Sequence, residues 1–357
     1  MVTAWSSCEQ DVDDVRDAVS AILTDLGPAG VDATDGFGPG WDALVKGGYL
    51  FVPADPAEGG TLAEALAVVE EAGRHAVRGP VAEHGILAGW VLERAGLPVP
   101  EGPLTFAPAP GVREDRGRLF GTVPRVPWAQ DVHRIVLLVD SPDGPAVAMI
   151  DPRELAIQAG GNLASERRDT ITLDGAAVIQ QAPAPGFDEL EARAALTRAA
   201  LICGAAARAV GLTLRYTKER HQFGRPVGRF QAVQAHLVTA AQQVRAAQVA
   251  TRSAAMVTTF EPEKCQVEAA VAKIVASHAA GVVAAATHQA TGAMGMTKEY
   301  ELGHLTLKLW SWRDECGSEA VWSRRLGERL VAGGAEGYWP LIAGDAVAAA
   351  AEPVGSR

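Results

Sequence analysis

Four long stretches in the C-terminal half, roughly 188 to 219, 229 to 257, 264 to 290 and 318 to 332, repeat apolar residues at the spacing of one helix face. Short polar or glycine-containing links join them, so an antiparallel bundle is expected. Segments such as AALICGAAARAVGL and ASHAAGVVAAATHQA are rich in Ala and Gly, which lets backbones approach closely. That composition predicts helices packed on both sides, as inside an oligomer; a tightly packed monomer core is the plainer alternative.

Upstream the pattern changes twice. Residues 11 to 100 read as helices separated by turns: DVDDVRDAVSAILTDLG ends at Gly27-Pro28, and TLAEALAVVEEAGRHAV resumes the helical spacing after Gly59-Gly60. From about Leu104 the period shortens, and RIVLLVD, AVAMID and DTITLDGAAVI are short runs bounded by turn clusters such as SPDG. The helical pattern returns after Pro183-Ala184-Pro185-Gly186. The expected class is α+β, mainly α. An N-terminal all-α domain would span 1–103, a small middle β domain 104–185 and a C-terminal four-helix bundle 186–335, with a tail at 336–357 that carries no assignable element.

A chain of 357 residues is too long for one core and predicts several packed subdomains. A formal charge of −11 opposes general binding to phosphate backbones, so nucleic acid is not expected as a partner. No run of eighteen uninterrupted apolar residues occurs, so no membrane insertion is predicted. The acidic start, MVTAWSSCEQDVDD, lacks the features of a secretory signal, and a cytoplasmic location is expected. Cys8, Cys203, Cys265 and Cys316 show neither disulfide nor zinc spacing and read as buried free thiols.

One stretch carries chemistry on its own terms. In RYTKERHQFGRPVGRFQAVQAHLV, Arg220 closes a helix, Phe223-Gly224 turns the chain, and Pro226 blocks helical continuation before a new helix begins near Gly228. A guanidinium fixed at such a corner suits bidentate recognition of a pyrophosphate, and a phenylalanine beside it offers a flat apolar surface. An exposed arginine that merely interacts with the helix dipole is the competing reading.

The same stretch closely resembles the Arg-x-x-Phe-Gly turn followed by Phe-Gln that marks the acyl-CoA dehydrogenase family, and the helical, β, bundle order is that family's layout. WDALVKGGYLFVPADPAEGGTLAEALAVVEEAGRHAVRGP looks like the family's opening segment, and HQATGAMGMTKEYELGHL resembles its Gln-x-x-Gly-Gly-x-Gly loop, with Ala293 in place of the second glycine. The resemblance implies a flavoprotein that desaturates an acyl-CoA thioester at its α,β bond, with FAD as cofactor. Arg220, Gln222 and Phe223 would cradle the FAD pyrophosphate of an adjacent subunit, and Phe230 and Gln231 would lie near its adenosine end. Gln289, Gly292 and Ala293 would approach the same cofactor.

Removing an α-proton needs a positioned base. The resemblance places Glu315 at the base position, on a turn continued by Gly317 and Ser318, with Asp314 and Cys316 replacing the usual Tyr and Gly. A solvated turn residue and simple helix caps are the competing readings of this segment. At the family's other base position stands Ala194, with Glu191 one turn away.

The β domain departs from the family. LTFAPAPGV and GTVPRVPWAQD stand where hydrogen-bonding strands cover the flavin ring; Thr105 and Trp128 are the available substitutes, and prolines at 108, 124 and 127 cannot donate backbone hydrogen bonds. A chain that keeps the grip on a neighbour's cofactor while its own ring side is altered implies a heteromer. The partner would be a second acyl-CoA dehydrogenase-like subunit in an α2β2 assembly, with a homo-oligomer as the alternative and an electron-transfer flavoprotein as acceptor. Two other readings keep the fold: a non-catalytic subunit completing a partner's FAD site, and oxidase or hydroxylase chemistry.

Overall fold

The computed structural model describes residues 2–27, 36–51, 60–141, 144–297 and 299–334. Pro28, the turn preceding Gly60, the middle of the SPDG turn and the tail lie outside them.

The N-terminal helices are α1 (Val2–Asp25), α2 (Pro39–Lys46), α3 (Leu62–Arg74) and α4 (Trp90–Arg94), the last entered through a wide turn at His84–Gly89. Helix α1 starts well before residue 11, because the acidic opening segment continues its helical pattern. Thr61 caps α3: its hydroxyl accepts from Glu64 N at 3.2 Å and donates to the Glu64 carboxylate at 2.8 Å.

Strands β1 (Leu104–Ala109), β2 (Arg113–Asp115), β3 (Arg118–Pro127), β4 (Arg134–Ser141), β5 (Gly144–Ile150), β6 (Ala156–Gln158), β7 (Arg168–Ala177) and β8 (Gln180–Pro183) form two four-stranded sheets, ordered β1-β4-β5-β8 and β2-β3-β7-β6. Only the β1/β4 pair within them is parallel. The run RIVLLVD is continuously apolar because β4 is covered on both faces. Ile135, Leu137 and Val139 face the core between the sheets, whereas Val136 and Leu138 join the helical core.

The C-terminal region holds α5 (Phe187–Glu219), a two-stranded hairpin of β9 (His221–Gln222) and β10 (Arg225–Pro226), α6 (Gln231–Phe260), α7 (Cys265–Thr291), α8 (Leu302–Trp312) and α9 (Glu319–Ala332). Helix α6 begins at Gln231 rather than near Gly228, since a single 3-10 turn intervenes. Helix α8 corrects the reading of its region as loop. Leu302, Leu305, Leu309 and Trp312 form a buried stripe at helical spacing, obscured in the sequence by the glycines that precede it.

Close backbone approach, expected from the small residues, occurs where α3 crosses α5. A Cβ on Gly204 would lie 1.8 Å from Glu70 O, and one on Gly73 would lie 2.4 Å from Leu201 O. By composition the stretches 187–219 and 262–296 are long and apolar enough to cross a bilayer, but most of each stretch's most apolar part is buried in this fold, as in core helices.

Candidate active site

A cavity of about 880 Å³ lies between the β domain and the bundle. Phe106, Leu138 and Pro127 line one side, Leu190 and Ala194 of α5 the other, and the turn after α8 closes one end. That turn carries Glu315. Its backbone reverses through Cys316 (φ +54°) and Gly317 (φ +92°), where a Cβ would sit 2.5 Å from Trp322 Nε1. Trp322 Nε1 donates to Cys316 O at 2.9 Å, and Ser318 caps α9 by accepting from Val321 N at 3.4 Å. From behind, the fully buried Lys273 donates to Arg313 O at 2.8 Å and to Ser277 Oγ at 3.0 Å. Burial pulls that ammonium down to about 8.

The Glu315 carboxylate is held from three sides. Oε1 accepts from Arg168 Nε at 2.9 Å and Asn162 Nδ2 at 3.1 Å; Oε2 accepts from Arg168 Nη2 at 2.8 Å and Arg198 Nε at 2.9 Å. Burial raises its pKa, but the fields of Arg198 and Arg168 outweigh burial, and the net displacement is downward. Arg198 also donates to Glu83. Asn162 and Glu166 come from the β6–β7 loop, and Arg168 opens β7. Glu166 accepts from Lys308 Nζ at 2.6 Å and Trp312 Nε1 at 2.8 Å, fastening that loop to α8. Burial alone would raise the Glu166 pKa, but Lys308 and Arg168 take it down to about 2.

These partners were not singled out in the sequence. Arg198 lies on the buried side of an alanine-rich helix, and a long charged side chain there signals an internal partner. Arg168, Asn162 and Glu83 carried no comparable signal. Glu191 does line the cavity, paired with Arg325 at 3.1 Å, one turn from Ala194. Cys8, Cys203 and Cys265 are buried free thiols, but Cys316 is a correction: its left-handed turn opens it to the cavity.

The remaining sequence candidates gather elsewhere. Arg220 caps α5, and the hairpin that follows pairs Gln222 with Arg225 and His221 with Pro226. At its tip Phe223 (φ +52°) and Gly224 (φ +77°) occupy the two left-handed positions of a tight hairpin turn. Phe223 is 90% exposed; its ring meets Phe230 edge-on at 6.0 Å, and the Arg225 guanidinium lies over Phe230 at 4.2 Å. Arg220, Gln222 and Gln231 are exposed. Gln289 is exposed near the end of α7, and Gly292 (φ +60°) and Ala293 begin the 3-10 turn after it. Because α5, α6 and α7 alternate in direction, the α5–α6 corner and the end of α7 lie at the same end of the bundle. Tyr300 ties the two by donating to Leu212 O at 3.0 Å.

Thr105 and Trp128 are absent from the cavity lining. Thr105 is fully buried with no hydroxyl partner among the described residues, and Trp128 packs under Arg78 and against Phe37 in the β core. Pro108, Pro124 and Pro127 line the cavity instead.

The description "acyl-CoA dehydrogenase, C-terminal domain" matches residues 186–331. The acyl-CoA dehydrogenase IpdE2 of Mycobacterium tuberculosis is 29% identical over 316 residues, 82% of this chain and 89% of that protein. The crystal structure of the ChsE4-ChsE5 complex from Mycobacterium tuberculosis has a TM-score of 0.80 at 22% identity, over 90% of this chain and 97% of that one. Butyryl-CoA dehydrogenase from Megasphaera elsdenii gives 0.68 at 16% identity, over 89% of each chain. Residues 186–331 thus carry the acyl-CoA dehydrogenase C-terminal domain, and the helical, β and bundle parts together have the fold of solved acyl-CoA dehydrogenases over most of the chain.

Proposed function

We propose that this chain is one subunit of an FAD-dependent enzyme that desaturates an acyl-CoA thioester at its α,β bond, and that it works in an assembly with a second acyl-CoA dehydrogenase-like chain. The observation that carries this reading is the solvent-facing corner. Phe223 stands 90% exposed on a left-handed backbone, an arrangement that costs free energy in an isolated chain and suits a surface that something covers. Arg198 at the cavity and Arg220 at the corner are separated by most of α5, about 33 Å at 1.5 Å per residue. That exceeds the reach of one dinucleotide, so the corner serves a cofactor lodged in a neighbouring chain.

The residues at the corner fit a dinucleotide. Arg220 supplies a forked cation for a pyrophosphate, Gln222 adds a donor, and Phe223 and Phe230 offer ring surfaces towards the adenosine end beside Gln231. Gln289 and the backbone at Gly292 and Ala293 approach from α7. The cavity side fits a flavin ring poorly, since prolines at 108, 124 and 127 remove backbone donors and Thr105 and Trp128 face elsewhere. FAD held at the corner would supply the hydride acceptor for the desaturation, and an electron-transfer flavoprotein would take the electrons onward. The contrast between the two surfaces supports an α2β2 heteromer with fewer flavins than chains.

Glu315 is the carboxylate at the position of the base. It is ionised, as a base must be, but two guanidiniums diminish its basicity, so proton abstraction requires that it leave at least one of them. The same clamp favours a second reading, in which Glu315 is a counter-ion and the partner supplies the base. Glu315→Gln in the assembled complex separates the two: loss of substrate-dependent flavin reduction assigns the base to this chain, and an unchanged rate assigns it to the partner. Flavin-to-chain stoichiometry of the purified complex tests the assembly, and full occupancy in a lone homotetramer would reject it.

A further inference from the structure

The cavity's charged lining is paired almost throughout. Arg325 is bonded to Glu191, Arg198 to Glu83 and Glu315, and Arg168 to Glu315 and Glu166. Arg125 stands apart. Its closest anion is Glu315 Oε1, 3.9 Å away, and that oxygen already accepts from Arg168 and Asn162. Arg125 makes no hydrogen bond among the described residues, and its side chain is 64% exposed while lining the cavity.

Its placement is built into the backbone. Between Val123 and Val126 the β3–β7 register slips, and Arg125 takes φ +60° immediately after Pro124. A left-handed arginine inside a strand is a strained arrangement. The bulge turns its side chain out of the sheet alternation and onto the cavity, whose apolar wall is formed by Phe106, Leu138, Leu190 and Pro127.

Resting on the acyl-CoA reading above, we propose that Arg125 is a specificity-determining residue and that the acyl group this cavity takes carries a carboxylate. A neutral acyl chain would strip water from the guanidinium and give nothing back, whereas a carboxylate would form a charge-assisted, two-point contact. The Glu315 carboxylate beside it fixes where the new anion sits, since like charges keep apart and the substrate's carboxylate must take the side of Arg125 that faces away from Glu315.

The test is titration calorimetry of the assembled complex, with this chain unaltered or carrying Arg125→Gln, and three probes: glutaryl-CoA, pentanoyl-CoA and free CoA. The unaltered complex is expected to bind glutaryl-CoA at least tenfold more tightly than pentanoyl-CoA. Arg125→Gln should erase that preference by weakening glutaryl-CoA, with pentanoyl-CoA bound as tightly as before or more tightly and free CoA unaffected, and Arg125→Lys should keep part of it. Equal binding of the two thioesters by the unaltered complex, or a preference that survives Arg125→Gln, overturns the proposal and leaves the acyl-CoA reading standing. Weakening of free CoA by Arg125→Gln also overturns it, by assigning the guanidinium to the CoA phosphates. Failure of all three probes to bind the unaltered complex removes both this proposal and the acyl-CoA reading beneath it.

Discussion

Arg198 Nε donates to Glu315 Oε2 at 2.9 Å, and both side chains are less than one-tenth exposed. The pair joins α5 to the turn after α8, and through Glu83 it reaches the N-terminal domain as well. Glu315 keeps Arg168 when Arg198 is removed, but the buried Glu83 carboxylate loses its cation, so Arg198→Ala should cost about 3–5 kcal/mol. Denaturant unfolding would show it. A loss below about 1 kcal/mol would mean that water enters the cavity freely enough to solvate both carboxylates.

Phe223 separates stability from assembly. Phe223→Gly removes a strained left-handed side chain and should leave the isolated chain as stable as before, or more stable by about 1 kcal/mol. The same substitution should lower the flavin retained by the assembled complex by at least tenfold on dilution. Absorbance at the flavin band after gel filtration measures the second effect, and the thermal midpoint the first.

His84 links folding to acid. Its Nδ1 accepts from Leu104 N at 3.1 Å, and burial pulls the imidazole down to about 4. The unfolded chain titrates near ~6.5, so between these values it binds the extra proton and the folded state does not. The contribution is therefore complete above pH ~6.5 and is lost as pH falls towards about 4, amounting to about 3 kcal/mol. Unfolding free energies at pH 7.5, 6, 5 and 4 would trace it, and His84→Gln should flatten that part of the curve.

Gly204 has no room for a methyl group, since its Cβ would lie 1.8 Å from Glu70 O and 2.6 Å from Arg74 N. Gly204→Ala must push α3 from α5 and should cost roughly 3 kcal/mol despite its better helix propensity. Gly211, on the same helix but with open space around it, is the control, and Gly211→Ala should be neutral or stabilising by about 1 kcal/mol.

The elements legible in the sequence were those whose burial has one period. The long helices show this, as does β4, whose unbroken apolar run follows from being covered on both faces. Helix α8 was hidden because its stripe of Leu302, Leu305, Leu309 and Trp312 follows a glycine-rich segment that reads as a terminator. The corner motif was legible because its geometry is local: helix end, two left-handed residues, proline. The clamp on Glu315 was not, since Asn162, Arg168 and Arg198 come from a loop, a strand and a helix that only tertiary packing brings together. Trp128 misled for the same reason, because nothing near it in sequence tells a core-facing indole from a cavity-facing one.

The prolines along β1 and β3 give the cavity a wall with few hydrogens to offer. A bound molecule can slide over Pro108, Pro124 and Pro127 without breaking a directional contact, so its orientation rests on the few guanidiniums at one end. Recognition in such a chamber works like a ball held by a magnet in a smooth bowl. Changing the polar end of the guest should matter far more than reshaping its hydrocarbon body.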